Sequence, residues 1–122
     1  MTLTTQVPLT IPDVARPLQL YVHGEQDRHV SRHLREEGVW EPYESSLLLS
    51  LLQPGDVFID AGANIGYFSV LAASVVGPGG SVFAFEPDPD NYRLLLANAE
   101  LNGMAGCITA LQAALSDTHG QG

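Results

Sequence analysis

Val57-Phe58-Ile59-Asp60-Ala61-Gly62-Ala63-Asn64-Ile65-Gly66 is the stretch that decides the fold. Its first three residues are apolar β-formers, which predict a short strand buried on both faces. The glycines that follow predict a bend. Gly62 allows a sharp turn and lets a ligand approach the backbone with no Cβ in the way. Gly66 falls at the start of the next helix, where the missing side chain permits close packing on the strand. Asn64 can cap that helix or exchange hydrogen bonds at the turn. A helix N-terminus offers free N–H groups to a carboxylate. Asp60 sets a negative charge beside the bend, where a ligand ammonium or a backbone donor would be welcome.

Outward from this stretch the periods alternate. Ile65, Phe68, Leu71, Ala72, Val75 and Val76 form a helical stripe, closed by Gly77-Pro78-Gly79-Gly80. Val82-Phe83-Ala84-Phe85 predicts a second buried strand, ending in Glu86-Pro87. Asp88-Pro89-Asp90 is a helix start, with a capping acid, a proline for the first turn and an acid near the positive end. Tyr92, Leu95, Leu96, Ala99 and Leu101 are expected on that helix's buried face, and residues 107–114 predict a third strand. Upstream, Pro42 opens a helix whose Tyr43, Leu47, Leu48, Leu51 and Leu52 recur at helical spacing before Pro54-Gly55. Residues 27–37 predict a shorter helix and residues 19–22 a short strand. The three prolines of residues 1–17 predict an irregular arm. The chain divides into an N-terminal arm and helix, 1–37, and an α/β unit, 38–122. Short apolar strands separated by helices imply a parallel sheet with right-handed crossovers.

In such sheets ligands sit beyond the carboxyl ends of the strands. Two ends are marked here, one by the Asp60-to-Gly66 bend and its neighbour by Glu86. A carboxylate at that second tip is placed to accept hydrogen bonds from ribose hydroxyls. Taken singly, each feature is ordinary turn chemistry. Together they predict a nucleoside site. The dinucleotide fingerprint G-x-G-x-x-G has a glycine where this chain has Asn64, and its third glycine falls one residue later. An acid at Asp60 would also crowd phosphates. A ligand with ribose, adenine and a cationic amino-acid tail fits better than NAD, and S-adenosylmethionine is such a ligand.

Charge and composition narrow the partners. The chain has 122 residues and a net charge of −9, with no lysine. Residues 41–122 carry nine acids against Arg93 alone. Such a surface repels a phosphate backbone, so nucleic acid is not an expected partner. Cys107 is the sole cysteine, which precludes an internal disulfide and a thiolate metal site. His29, His33 and Glu37 share helical spacing, but Arg28 and Arg32 among them favour a solvated face, and no metal is expected. The first ten residues lack the basic and apolar regions of an export signal, and no apolar run reaches the roughly 20 residues of a membrane span. The expectation is a cytoplasmic protein with no membrane partner.

The run from Pro54 to Ser69 resembles the opening of the FkbM family of S-adenosylmethionine-dependent methyltransferases. Val82 to Pro87, Asn91-Tyr92, the helix to Asn98 and Ala113 to Asp117 continue the likeness, which covers about residues 38–117. The resemblance implies a Rossmann-like class I methyltransferase fold, present in part as its first three parallel strands with their helices. It implies that Asp60, Ala61, Gly62, Ala63, Asn64 and Gly66 hold the methionine tail of the cofactor and Glu86 its ribose. The segment after the third strand, with Asp117, would lie against adenine. Family members methylate hydroxyl oxygens of small molecules or sugars. The family's next strand and everything beyond it are missing, so no catalytic residue is named and this half alone is expected to be inactive. A nucleoside-binding half-domain without turnover, or an NAD-binding half, are the alternatives. The first strand's unpaired edge is a route to self-association.

Overall fold

A computed structural model describes residues 4–12, 14–24 and 29–115. Its elements run β1 (Thr4–Pro8), β2 (Gln19–His23), α1 (His29–Glu37), α2 (Pro42–Leu51), β3 (Val57–Asp60), α3 (Tyr67–Val76), β4 (Ser81–Phe85), α4 (Pro89–Leu101) and β5 (Ile108–Leu111). β3, β4 and β5 form a parallel sheet in that order. The helix between each pair of strands is the crossover that parallel pairing demands. The three expected strands and their helices are therefore present, as half of a Rossmann-like frame.

The strands are covered on one face only. Val82, Ala84 and Ile108 are buried beneath α3 and α4. Val57 and Ile59, pointing the other way, keep 63% and 59% of their surface exposed. Phe83 and Leu111 continue that open apolar face. The expectation of strands buried on both faces is thus corrected. A run of apolar residues records that a strand evolved for two covered faces, and the described residues supply helices for one.

α2 carries a second correction. Its helical spacing is right, but Tyr43, Leu47 and Leu51 are exposed, and Ser45 is the buried residue. The helix packs on α3 through its other side. There Ser45 donates from Oγ to the Trp40 carbonyl at 2.8 Å and shares a hydrogen bond with the Tyr67 hydroxyl at 2.8 Å. Two specific polar bonds, with half-buried Leu48, Leu49 and Leu52, set the rotation that leucine counting missed.

The N-terminal arm is irregular only in part, because Thr4–Pro8 forms a strand. β1 and β2 pair antiparallel, from Thr4 opposite His23 to Pro8 opposite Gln19. Proline is tolerated because Pro8 closes a strand at a sheet edge, where no ladder bond is lost. Leu20 and Val22 of this hairpin are fully buried and join the one hydrophobic core. No helix among the described residues is long and apolar enough to cross a membrane.

Candidate cofactor site at the strand tips

β3 ends at Asp60 and β4 at Phe85, side by side in the sheet. The chain leaving β3 turns through Ala61 to Gly66 before α3 begins. Three backbone features shape that turn. Ala63 donates its N–H to the Phe85 carbonyl at 3.0 Å, which ties the bend to the neighbouring strand. Asn64 is left-handed, at φ 56°, and its side-chain Oδ1 accepts the Ile65 N–H at 2.9 Å. Asparagine is among the few residues that adopt this conformation readily. Gly66 follows at φ 101° as the residue before the helix, and its N–H donates to the Ala63 carbonyl at 2.9 Å.

The roles anticipated for individual residues shift accordingly. Asn64 does not cap α3 with its side chain; it braces its own turn. Gly66 is needed for its φ and because a Cβ there would lie 2.9 Å from Leu95 Cδ1. The close neighbour is α4, not the strand. Gly62 has no left-handed φ, and a Cβ would meet nothing within 4 Å. What it leaves is open, solvent-facing space beside the bend.

Glu86 sits beside this bend and is buried, with 7% of its surface exposed. Asn64 donates its N–H to Glu86 Oε1 at 2.6 Å, and Asp88 donates its N–H to Oε2 at 3.0 Å. Each oxygen keeps a second lone-pair direction for another donor. Asp88 in turn caps α4, its Oδ2 accepting the Asn91 N–H at 2.9 Å, as the Asp-Pro-Asp start predicts. Asp60 is nearly buried, and Ser69 of α3 donates Oγ–H to its Oδ2 at 2.8 Å. Burial raises the Asp60 pKa above the ordinary carboxylate value; the Ser69 bond opposes this and the nearby Glu86 charge adds to it.

The structure therefore brings Asp60, Ala61, Gly62, Ala63, Asn64, Gly66 and Glu86 together at one end of the sheet. Asp117 lies outside the described residues. Sequence reasoning missed Ser69 and Asn98, both buried polar residues set in apolar helical stripes. That contrast was the available signal, since a polar side chain is buried only when bonded. The cavity of about 470 Å³ lined by Met104, Cys107, Arg16 and the end of α3 lies at the opposite, amino ends of the strands.

His29, His33 and Trp40 cluster edge to face, with ring centroids 5.2–5.5 Å apart. The two histidines do share a face, but no group of three metal-ligating side chains occurs among the described residues.

The parallel three-stranded sheet with its helical crossovers is part of a Rossmann-like fold, and the solved methyltransferase neighbours share that fold. The TRM5/TYW2 methyltransferase domain model matches residues 41–121, and the chain belongs to that family. Methyltransferases of this family use S-adenosylmethionine, the expected cofactor. The "31-O-demethyl-FK506 methyltransferase FkbM" of Streptomyces tacrolimicus is 48% identical over 69 residues, which are 57% of this chain and 25% of that protein. A tRNA (guanine(37)-N(1))-methyltransferase of Aedes aegypti is 33% identical over 115 residues, covering 83% of this chain and 20% of its own. Trm5 of Methanocaldococcus jannaschii, solved in complex with adenosine, superposes with a TM-score of 0.63 at 20% identity, over 96% of this chain and 31% of its own. The chain spans about a quarter of the length of the curated relatives it matches. The exclusion of nucleic acid drawn from the charge balance is overturned by the family match and the tRNA methyltransferase relatives. A net charge is a sum over residues and does not by itself decide whether a phosphate backbone is contacted.

Proposed function

We propose that this chain is the cofactor-holding half of a methyltransferase, with the Asp60-to-Gly66 bend and Glu86 gripping S-adenosylmethionine between them. One observation carries the reading: the Asn64 N–H is bonded to the Glu86 carboxylate at 2.6 Å, so both marked strand tips form one wall. Glu86 uses its remaining lone pairs for the ribose hydroxyls. The open space beyond Gly62 receives the methionine tail, and the segment through Asp117 lies against adenine. Asp60 and Glu86 are two carboxylates in a partly dry corner, and a cationic tail would relieve their repulsion. A dinucleotide pyrophosphate would increase it. The bound cofactor supplies an electrophilic methyl on a sulfonium, and this chain's residues hold and orient it.

For the acceptor, the favoured reading is a nucleic-acid base in tRNA. It is supported by the family match and by the tRNA methyltransferase relatives. The acidic charge of residues 41–122 leaves phosphate contacts to other parts of the protein. The 48% identical stretch shared with FkbM favours a second reading, methylation of a hydroxyl.

Calorimetric titration with S-adenosylmethionine, S-adenosylhomocysteine and NAD tests the cofactor reading. Saturable heat is expected with the first two and none with NAD. Binding of NAD alone would overturn it. Methyl transfer from labelled cofactor to tRNA or to hydroxyl acceptors, by the whole protein, separates the two acceptor readings.

A further inference from the structure

Asn98 is fully buried in the last turn of α4 and makes contacts to two different parts of the molecule. Tyr21 of β2 donates its N–H to Asn98 Oδ1 at 2.6 Å, and Asn98 Nδ2 returns a bond to the Tyr21 carbonyl at 3.1 Å. The same Nδ2 donates to the Ile65 carbonyl at 2.7 Å. One helical turn on, Asn102 repeats the first pattern with Gln19. It accepts the Gln19 N–H at 3.0 Å and donates to the Gln19 carbonyl at 2.7 Å. Its other donor bond goes to its own helix, at the Asn98 carbonyl. Two side-chain amides thus stand in for a neighbouring strand along β2, but Asn98 alone also reaches the bend.

The carbonyl it holds is a sensitive one. The Ile65–Gly66 peptide lies between Asn64 at φ 56° and Gly66 at φ 101°. Asparagine and glycine enter the left-handed region at little cost, so surrounding contacts must fix the peptide between them. Glycine, which has other conformations open to it, provides little restraint of its own. A donor fixed from α4 removes one route by which that peptide could rotate, break the Gly66 N–H bond to the Ala63 carbonyl and loosen the turn that presents the Asn64 N–H to Glu86.

We infer that Asn98 is a positioning residue for the cofactor-holding bend, and that through it the β1–β2 hairpin forms part of that site's support. This rests on the site reading proposed above. The hairpin precedes the stretch matched by the family model, so the inference assigns the residues before position 41 a share in cofactor binding.

Asn98→Asp and Asn102→Asp make a matched pair. Both keep the acceptor for β2 and lose the amide donors, but Asn98→Asp alone sets an oxygen against Ile65. The dissociation constant for S-adenosylmethionine should rise about tenfold or more in N98D and change less than about twofold in N102D. In N98D, with no ligand present, the Gly66 amide resonance should move, while in N102D it should not. Lowering the pH should restore part of the lost affinity in N98D, measured against the unsubstituted chain at the same pH, because a protonated carboxyl regains one O–H donor. Equal weakening by both substitutions, or an unmoved Gly66 resonance, would overturn the inference. Should N98D not fold, the unsubstituted chain decides. Saturating S-adenosylmethionine should slow hydrogen exchange at the Tyr21 amide more than at Gln19, since coupling runs both ways. No change at Tyr21 would contradict it. The Gly66 resonance is read without ligand, so a failed brace is distinguishable from a failed site, which would show as no heat with the unsubstituted chain.

Discussion

The backbone N–H of Asn64 and the carboxylate of Glu86, 22 residues apart in sequence, are joined at 2.6 Å. The bond links the bend after β3 to the tip of β4 and gives the acid a structural role beside the ligand role proposed for it. Glu86→Gln should therefore cost stability before any ligand is added. An amide can offer only one acceptor oxygen to the N–H groups of Asn64 and Asp88, and its NH2 must face the other. A loss of about 1–3 kcal/mol is expected in urea unfolding, the penalty of an unsatisfied buried donor. An unfolding midpoint equal to that of the parent chain would show that the two bonds carry no weight.

Gly66→Ala tests the bend from the other side. The new Cβ would meet Leu95 Cδ1 at 2.9 Å, in a backbone conformation at φ 101° that alanine resists. Destabilisation of about 1–3 kcal/mol is expected. Trimming the obstacle with a second change, Leu95→Ala, should not restore stability, because the φ penalty remains and a cavity is added. Full rescue by the double change would mean that the contact alone matters.

Asp60 gives a pH dependence with a definite sign. Its folded-state pKa is raised, first by burial, then by the Glu86 charge, against the opposing Ser69 bond. Such a group favours the fold below its unfolded value, and that contribution is lost as pH rises through the folded value. Asp60→Asn, which can still accept from Ser69, should raise the thermal midpoint at pH 7, with the gain shrinking as pH falls through the raised folded value and gone below the ordinary carboxylate value. A cationic ligand reverses the preference by favouring the ionised form. Affinity for S-adenosylmethionine should accordingly rise with pH across the same window in the parent and stay flat there in D60N. A parent affinity independent of pH would remove Asp60 from the account.

Ser45 and Tyr67 share a buried hydroxyl pair at 2.8 Å that sets the rotation of α2. Burial pushes the Tyr67 phenol pKa up. Ser45→Ala and Tyr67→Phe should each cost about 0.5–1.5 kcal/mol, and the double change should cost less than their sum. Strict additivity in thermal unfolding would say that the pair does not interact.

The parts legible in sequence are those fixed by neighbours in the chain. Asp88-Pro89 writes its own helix cap, and Asp60 to Gly66 writes its own bend. The parallel pairing follows from the helices that separate the strands. What was not legible depended on partners distant in sequence. The exposure of Val57 and Ile59 reflects which faces are covered, and strand composition carries no information on that. The rotation of α2 was decided by Ser45 meeting Tyr67, against a leucine count that pointed elsewhere. Pro8 marks an irregular arm by its local chemistry, but the pairing of Thr4–Pro8 with β2 makes that part a strand. At the site, Glu86 and the glycines were readable as residue types, whereas the clamp from Asn98 onto Ile65 spans 33 positions and required coordinates. The charge balance misled most. It spoke for a segment that makes up about a quarter of its relatives' length.

A crystal structure of the chain with S-adenosylhomocysteine tests the central claim most directly. The account predicts ribose hydroxyls within hydrogen-bonding distance of the Glu86 carboxylate and the amino-acid tail over Gly62. Nucleoside density elsewhere, such as in the cavity lined by Met104 and Cys107, with the strand tips untouched, would contradict it.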